Sequence, residues 1–398
     1  MQIRDYGKTG KKVSLFGMGC MRLPVVLPPP GSPPPAPPPA GGPPPMPPVD
    51  REKAFELIRY AADHGVTYFD TAFGYHGGES ESITGEALAE GGRREKVMIA
   101  TKQPFREMKD QATLRKNLEN TLKKLRTGYL DVYLIHGIGK DEWPAIKERK
   151  IPEEFERFKN EGLIRAVAFS FHGDFGTFKD VLGYYDWDMC QVQQNFLDVD
   201  REATEEGIRL AGQKGCALVI MEGLRGGALA KAPPQVQTLY DAFPVKRSPV
   251  EWAFRHLVNY PEVSVILSGV STMEQLKDDI ELFSKPDFTP GCLSAGEKAL
   301  LGQAKDVYMS LTKVPCTGCE YCLPCPNNVA IPRVFSGYND GYRFGNFQQS
   351  RMFYGFMKMQ QADASRCVEC NQCVEKCPQH INIPEALKEA DKALSMPA

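Results

Sequence analysis

Short apolar runs alternate with longer amphipathic stretches along the first 285 residues of the chain. The eight apolar runs predict β-strands at Val13–Gly19, Thr67–Asp70, Val97–Lys102, Asp131–His136, Ile164–Ser170, Met189–Gln193, Ala217–Met221 and Val263–Leu267. The amphipathic stretches predict helices at Arg51–His64, Ala112–Leu125, Pro152–Asn160, Arg201–Lys214 and Met273–Phe283. Short strands separated by helices indicate parallel βαβ units, and eight such units close into a (β/α)8, or TIM, barrel. An open doubly wound sheet is the alternative, but no G-x-G-x-x-G motif follows the first strand.

The chain divides into three predicted regions. The barrel spans 1–285, a linker with a helix spans 286–312, and a small α-rich domain spans 313–398. Between the first strand and the first helix, residues 24–48 include 15 prolines and no charged residue. Such a run favours extended polyproline II and cannot form a packed core. We interpret it as a surface loop, with a ligand for an SH3-like groove as the alternative.

Composition and charge argue against two classes of partner. The 398 residues are 42% hydrophobic and 25% charged, and the formal net charge is −2. Nucleic acids and anionic membranes require a concentrated basic surface, so neither is a predicted partner. Met1–Tyr6 is polar, and the apolar run near Val13 is too short to span a bilayer. From the sequence alone we expect a soluble, cytoplasmic protein.

Eight of the twelve cysteines lie in two compact motifs, CTGCEYCLPCP and CVECNQCVEKCP. Their cysteines are Cys316, Cys319, Cys322, Cys325, Cys367, Cys370, Cys373 and Cys377. The second motif has the C-x2-C-x2-C-x3-C-P spacing of bacterial ferredoxins, and the first has one residue fewer before its last cysteine. Three cysteines at this spacing reach three corners of a 4Fe–4S cubane, while the proline turn directs the fourth cysteine away.

In two-cluster ferredoxins the fourth cysteine of each motif ligates the other cluster. This rule assigns one cluster to Cys316, Cys319, Cys322 and Cys377. It assigns the other cluster to Cys367, Cys370, Cys373 and Cys325. Structural zinc usually takes two C-x2-C pairs separated by a longer loop, and disulfides in a secreted scaffold would not gather in this way. We therefore predict a ferredoxin-like domain with two 4Fe–4S clusters.

Ionisable side chains stand at the ends of neighbouring predicted strands. Asp70, Lys102 and His136 end the second, third and fourth strands, and Tyr75 lies in the loop after Asp70. Barrel enzymes place their chemistry at the C-terminal ends of the strands, so the four groups are expected to meet there. Such a group can deliver a proton to a carbonyl: lysine lowers the pKa of the tyrosine, aspartate orients the lysine, and histidine positions the substrate oxygen. A single Asp is often a helix cap, and a single His is often a core residue. The combination of all four residues at these positions, rather than any one of them, therefore indicates a catalytic site.

The segments around these residues resemble the aldo/keto reductase family. The matching segments are FGMGCMRLP, YFDTAFGYHGGES, ATK, DVYLIHG, AFSFHGD and SVILSGVSTMEQL. Together with the cysteine motifs, they make the chain similar to the subgroup of this family that carries a ferredoxin-like domain. The resemblance implies a catalytic tetrad of Asp70, Tyr75, Lys102 and His136. It also implies a nicotinamide dinucleotide, NADP or NAD, that binds without a Rossmann fold.

The same resemblance implies the residues that contact the cofactor. Ser170 and Gln191 would bind the nicotinamide carboxamide. The diphosphate and the adenosine would lie against Leu224, Arg225, Gly226, Gly227, Ser268, Ser271, Thr272 and Gln275. These loops follow the seventh and eighth strands, where TIM barrels commonly bind phosphate.

Three positions depart from the family pattern. Phe171 stands in place of an asparagine, and Glu222 stands in place of the aromatic residue that stacks on nicotinamide. The basic pair that grips a 2′-phosphate is missing near Gln275 and Asp279. A flavin is therefore an alternative cofactor.

The leading hypothesis is an oxidoreductase that interconverts a small-molecule carbonyl and an alcohol by hydride transfer from NAD(P)H, with the two clusters accompanying or coupled to it. Nicotinamide moves two electrons as a hydride, whereas a cluster moves one electron at a time. The second hypothesis is therefore a flavin- or cluster-dependent electron-transfer reductase on the same barrel, with an electron-transfer protein as partner. The third is a non-catalytic redox sensor or partner subunit, against which the intact tetrad argues.

Overall fold

The computed structural model describes residues 1–27, 29 and 47–395, so most of the proline-rich run at 24–48 lies outside the described residues. The strands are β1 (Ile3–Asp5), β2 (Lys12–Ser14), β3 (Phe16–Gly19), β4 (Tyr68–Asp70), β5 (Met98–Pro104), β6 (Val132–Ile138), β7 (Val167–Phe171), β8 (Met189–Gln193), β9 (Ala217–Met221) and β10 (Val263–Ser268). Strands β3 to β10 pair in parallel in chain order, and β10 closes the barrel on β3. The predicted (β/α)8 barrel is confirmed.

Each barrel strand is buried on both faces. Successive side chains of a strand point to opposite faces, so Tyr68 belongs to the inner cluster of the barrel and Phe69 to the layer between strands and helices. The same division separates Val132, which points inward, from Tyr133, which points outward. Strands that are buried on both faces consist of continuous apolar runs. The hydrophobic pattern of the sequence therefore predicted these strands.

A short antiparallel hairpin of β1 and β2 precedes the barrel. The prediction of one strand at Val13–Gly19 is therefore wrong at its start, because the hairpin ends at Ser14 and the barrel begins at Phe16. The Ser14 hydroxyl donates to the Phe16 carbonyl at 2.7 Å, which supports the bend between the two strands. Val13 and Phe16 are both buried, so the apolar pattern runs through this bend without a break.

The helices up to residue 282 are α1 (Arg51–Asp63), α2 (Ser80–Ala89), α3 (Gln111–Lys124), α4 (Trp143–Glu148), α5 (Ile151–Asn160), α6 (Phe175–Tyr184), α7 (Thr204–Gln213), α8 (Pro234–Ala242), α9 (Pro249–Val258) and α10 (Met273–Leu282). The sequence pattern predicted α1, α3, α5, α7 and α10. It missed α2, whose buried side chains include Ser80, Glu81 and Thr84. The Thr101 and Thr121 hydroxyls donate to the Glu81 carboxylate at 2.8 and 3.2 Å, so this helix buries a polar face that no apolar pattern reveals.

Residues 227–249 and 297–395 belong to a second compact unit. The helices after the barrel are α11 (Ala295–Ser310), α12 (Ile331–Arg343), α13 (Phe347–Met359), α14 (Gln372–Glu375) and α15 (Ile383–Ser395). Phe335, Tyr338, Tyr354 and Leu387 from α12, α13 and α15 share one apolar core. Within the described ranges, none of the helices has the length and the apolar character needed to cross a membrane.

Replacement of Tyr6 tests how the hairpin contributes to the barrel. Tyr6 follows β1, is 0% exposed and belongs to the inner cluster, with its ring centroid 5.9 Å from that of Tyr68. Tyr6→Ala should lower the free energy of unfolding by about 3–5 kcal/mol because it leaves a cavity. Tyr6→Phe keeps the ring and should cost less than half as much.

Urea unfolding followed by tryptophan fluorescence measures these losses. Ile3→Ala is the matched control, because Ile3 belongs to the same hairpin but is 50% exposed. It should change the free energy of unfolding by less than about 1 kcal/mol. Equal losses in Tyr6→Ala and Ile3→Ala would contradict a role of the Tyr6 ring in closing the base of the barrel.

Candidate active site and iron–sulfur site

Four ionisable side chains meet at the C-terminal ends of β4, β5 and β6. The Lys102 ammonium donates to Asp70 Oδ1 at 2.5 Å, to the Thr71 carbonyl at 3.0 Å and to Tyr75 Oη at 3.4 Å. The Tyr75 and His136 rings lie edge to face with their centroids 6.0 Å apart. The predicted tetrad residues are therefore neighbours in space, because parallel pairing aligns the ends of adjacent strands. Their catalytic role stays a prediction.

The ion pair between Lys102 and Asp70 is buried, with side-chain exposures of 1% and 4%. Burial lowers the pKa of Lys102, but Asp70 and Tyr75 together outweigh this effect and the net shift is upward. Burial also raises the pKa of Tyr75, and this effect outweighs the opposite influence of Lys102. Lys102 does lower the pKa of Tyr75, but the prediction that this pKa moves toward working pH is wrong for this site, because it neglected desolvation. Tyr75 is a neutral phenol and can donate a proton.

His136 is held in its neutral form. Burial, followed by the positive charge of Lys102, lowers the pKa of His136 to about 3. At pH 7 the imidazole therefore has one N–H group that can donate a hydrogen bond and no net charge. A neutral imidazole can orient a substrate oxygen without competing with Tyr75 as the acid.

Ser170 and Gln191 lie opposite each other in β7 and β8, and both are buried. The Ser170 hydroxyl accepts a hydrogen bond from the Gly137 amide at 2.8 Å. Gln191 Nε2 lies 3.5 Å from Met221 Sδ, while Gln191 Oε1 is buried without a hydrogen-bond partner among the described residues. A buried amide oxygen without a partner fits a ligand that donates to it, such as a carboxamide N–H.

The loop after β9 holds four of the predicted cofactor residues. Leu224 precedes Arg225, whose backbone is left-handed (φ 48°) and whose guanidinium pairs with Asp198. Gly226 (φ 65°) and Gly227 (φ 95°) follow in backbone conformations that favour glycine. The Arg225 side chain is thus bound to a protein carboxylate, and the backbone of the two glycines is the part of this loop suited to a close approach by an anion.

The loop after β10 leads into the N-terminus of α10. The Thr272 hydroxyl accepts from the Gln275 amide at 3.2 Å, and Gln275 Oε1 accepts from the Ser271 amide at 2.8 Å. This reciprocal pattern resembles a capping box, except that the Gln275 side chain bonds the amide of Ser271, one residue before the cap Thr272. Ser268 is buried beside Asp279, and burial raises the pKa of Asp279 to about 7. The loop is ordered by its own hydrogen bonds next to a helix N-terminus, which favours anions.

The cysteines of the two motifs are interleaved in the second unit. One cavity is lined by Cys316, Cys319, Cys322 and Cys377. Electrostatic interactions link Cys373 to Cys367, Cys325 and Cys370. Each set combines three cysteines of one motif with the last cysteine of the other, as the ligand rule predicts; ligation itself stays a prediction. Among the described residues, no three His, Cys, Asp or Glu side chains converge on a position for a single metal ion.

The two cysteine motifs share a set of left-handed backbone positions. Left-handed residues occupy matching places: Gly318, Glu320 and Asn328 in the first motif, and Glu369, Asn371 and His380 in the second. Both motifs continue through a Cys-Pro turn into an Ile-Pro pair that begins a helix, α12 or α15. The sequence interpretation missed this internal repeat, although CPNNVAIP and CPQHINIP display its spacing. Two equivalent loops are what two equivalent clusters require.

Comparison with known families decides what the barrel is. The model of the aldo/keto reductase family matches residues 41–291, more than half of the chain. The chain belongs to the aldo/keto reductase family. A model of the 4Fe-4S dicluster domain matches residues 315–381. The protein is therefore an oxidoreductase of the aldo/keto reductase type with a ferredoxin-like 4Fe–4S domain at its C-terminus.

Individual relatives are more distant. Aldo-keto reductase YhdN of Bacillus subtilis is 36% identical over 131 residues, which cover 30% of this chain and 38% of the relative. The NADH-specific methylglyoxal reductase of Escherichia coli is 26% identical over 203 residues, covering 46% of this chain and 59% of the relative. Both alignments span less than two thirds of the relative. The structure of aldo-keto reductase AKR11C1 from Bacillus halodurans has a TM-score of 0.60 and 25% identity, covering 76% of this chain and 96% of that one.

The buried ion pair of this aldo/keto reductase predicts a characteristic pattern of stability. Asp70→Asn should lower the free energy of unfolding by about 3–5 kcal/mol, because the Lys102 ammonium would stay buried without its carboxylate. The double variant Asp70→Asn/Lys102→Met removes both charges and should recover most of the loss. Urea unfolding measures both effects.

The control for this comparison is an exposed ion pair. Glu90, with a side chain 74% exposed, pairs with Arg59, and Glu90→Gln should change the free energy of unfolding by less than about 1 kcal/mol. A double variant no more stable than Asp70→Asn would show that the loss does not come from an unpaired buried charge.

Proposed function

We propose that the protein is an NAD(P)H-dependent carbonyl reductase, reversible in principle, in which Tyr75 is the proton donor. The observation that carries this proposal is the neutral Tyr75 phenol beside the buried Lys102–Asp70 pair and the neutral His136 imidazole. A carbonyl oxygen placed between Tyr75 and His136 would accept a hydrogen bond from each.

The four residues have separate tasks in this proposal. A bound nicotinamide would supply the hydride that reaches the carbonyl carbon. Tyr75 would pass its proton to the substrate oxygen as negative charge develops there. Lys102, whose ammonium lies 3.4 Å from Tyr75 Oη, would stabilise the phenolate that remains. Asp70 would keep Lys102 charged and fixed in place, and His136 would orient the substrate oxygen.

Ser170 and Gln191 would hold the carboxamide of the nicotinamide. The buried Gln191 Oε1, which has no hydrogen-bond partner in the described part of the chain, supports this assignment, because a carboxamide N–H would satisfy it. The name of one relative, an NADH-specific methylglyoxal reductase, supports a nicotinamide cofactor and a small carbonyl substrate. The loops at Leu224–Gly227 and Ser268–Gln275 would accept the diphosphate and the adenosine.

The second unit would hold two 4Fe–4S clusters with ligands exchanged between the motifs. The cavity lined by cysteines of both motifs and the repeated loop conformation support this arrangement. A cluster transfers single electrons, whereas hydride transfer moves a pair. We therefore assign the clusters to exchange with an electron-transfer protein or to redox sensing, separate from the hydride step.

Replacement of Tyr75 tests the proposed chemistry. Tyr75→Phe removes the proton donor and keeps the ring, so kcat for a small aldehyde should fall by about 10²–10⁴-fold. Nucleotide affinity, measured by quenching of tryptophan fluorescence, should change by less than about threefold. Tyr60→Phe on the outer helix α1 is the control and should leave both values unchanged.

Two outcomes would contradict this proposal. Carbonyl reduction that survives Tyr75→Phe would remove Tyr75 from its role. Anaerobically purified protein that releases a flavin and binds neither NADH nor NADPH would instead support the electron-transfer reductase.

Paired cysteine substitutions test the cluster ligands. With exchanged ligands, Cys319→Ala/Cys377→Ala damages one cluster and should leave about four of about eight iron atoms per chain, whereas Cys319→Ala/Cys325→Ala damages both clusters. If each motif held its own cluster, the two results would be reversed. Iron and sulfide analysis of anaerobically purified protein distinguishes the two arrangements, and Cys292→Ala, outside both motifs, is the control with full iron content.

A further inference from the structure

Glu222 lies directly after β9, at the C-terminal mouth of the barrel. Its backbone is left-handed (φ 58°), a conformation that costs a non-glycine residue energy and that occurs preferentially at functional sites. The residue is exposed overall, although partial burial raises the pKa of its carboxylate, which accepts no hydrogen bond from the described part of the chain. Neither the left-handed backbone of Glu222 nor a carboxylate without a hydrogen bond stabilises the fold, so this residue is a candidate for a functional role.

The neighbouring Gln191 points to a ligand in this part of the cleft. Its side chain is 2% exposed, and its Oε1 has no hydrogen-bond partner among the residues that the structure describes. Its Nε2 lies 3.5 Å from Met221 Sδ, and Met221 immediately precedes Glu222. A ligand group that donates to Gln191 Oε1 would therefore lie near the end of β9, where Glu222 follows Met221.

The two basic groups that interact electrostatically with Glu222, Arg225 and His172, already have carboxylate partners. Arg225 pairs with Asp198, and His172 Nδ1 lies 3.3 Å from Glu202 Oε1. Glu222 interacts electrostatically with all four of these groups. Because each basic group faces its own carboxylate, neither pair carries a net positive charge that could cancel the charge of Glu222. Its negative field therefore reaches the cleft.

We propose that Glu222 stabilises the oxidised form of the bound nicotinamide and so lowers the redox potential of the cofactor on the enzyme; this inference rests on nicotinamide binding at Gln191, as in the proposed function. The oxidised ring carries a positive charge, whereas the reduced ring is neutral. A carboxylate beside the ring therefore binds the oxidised form more tightly. The difference in affinity shifts the equilibrium between the two forms by the same factor, in the direction that favours hydride donation.

Glu222→Gln is the informative substitution because glutamine keeps the length and the backbone requirements of glutamate. A loss of packing or a change in the loop would weaken the binding of the oxidised and the reduced cofactor alike. Loss of charge alone would weaken the oxidised form selectively. Glu222→Asp keeps the charge and should retain most of the selectivity, whereas Glu95→Gln removes an exposed carboxylate that precedes β5, at the opposite end of the barrel.

The experiment measures the dissociation constants of NAD+, NADH, NADP+ and NADPH for each variant of the full-length holoprotein at pH 8, without substrate. Glu222→Gln should raise the dissociation constant of the oxidised nucleotide by about 5- to 10-fold and that of the reduced nucleotide by less than about twofold. A tenfold change in this ratio corresponds to about 30 mV in the two-electron potential. In the wild-type protein the preference for the oxidised nucleotide should shrink at high salt, because dissolved ions screen the charge of an exposed residue.

The results separate this inference from the proposed function. If nucleotides bind and the ratio of oxidised to reduced affinity in Glu222→Gln stays within about twofold of the wild type, the inference is wrong and the proposed function stands. If none of the four nucleotides binds, the proposed function fails and the inference fails with it. A ratio that changes equally in Glu95→Gln would also overturn the role of Glu222.

Discussion

The closure of eight parallel strands is the constraint on which the rest of the structure depends. Pairing in register places the ends of β4, β5 and β6 side by side, and this brings Asp70, Lys102 and His136 together from three separate strands. Closure also removes water from the inside of the barrel mouth. Lys102 lies in this dry environment with 1% of its side chain exposed. Its buried charge therefore requires a carboxylate at hydrogen-bond distance, which Asp70 provides.

Burial then decides the protonation states of the site. The same desolvation that makes the Lys102–Asp70 pair costly to break raises the pKa of Tyr75 and lowers that of His136 to about 3. Both groups are consequently neutral at pH 7 and both present hydrogen-bond donors. A cation beside a tyrosine suggests a phenolate when the residues are considered in isolation, yet the low dielectric of the site favours the phenol. A protonated phenol suits the reduction of a carbonyl, because that direction needs an acid.

A different constraint organises the second unit. Its apolar core involves α12, α13 and α15, and cysteines of both motifs pack against it. In the proposed exchanged ligation each set of four cysteines draws on both motifs, so neither motif would complete a cluster site by itself. The repeated loops give two similar sites within one small fold, a familiar way to bring two one-electron centres together. Membership of the aldo/keto reductase family explains the barrel and its tetrad, but hydride chemistry does not require these clusters, and their task is a separate question from that of the barrel.

The sequence by itself determined the features that depend on local pattern or short spacing. The barrel strands are buried on both faces, so their apolar runs were visible, and the cysteine spacing indicated a cluster domain without any structure. Tertiary structure decided what depends on distant partners. The polar buried face of α2 is stable only because Thr101 and Thr121 reach Glu81, and the bend at Ser14 that splits the first strand is hidden in an unbroken apolar run. The protonation states of Tyr75 and His136 depend on burial and on neighbours far along the chain, which no local pattern encodes. The same holds for Gln191 Oε1, which has no partner among the residues that the structure describes, and for the surroundings of the Glu222 carboxylate.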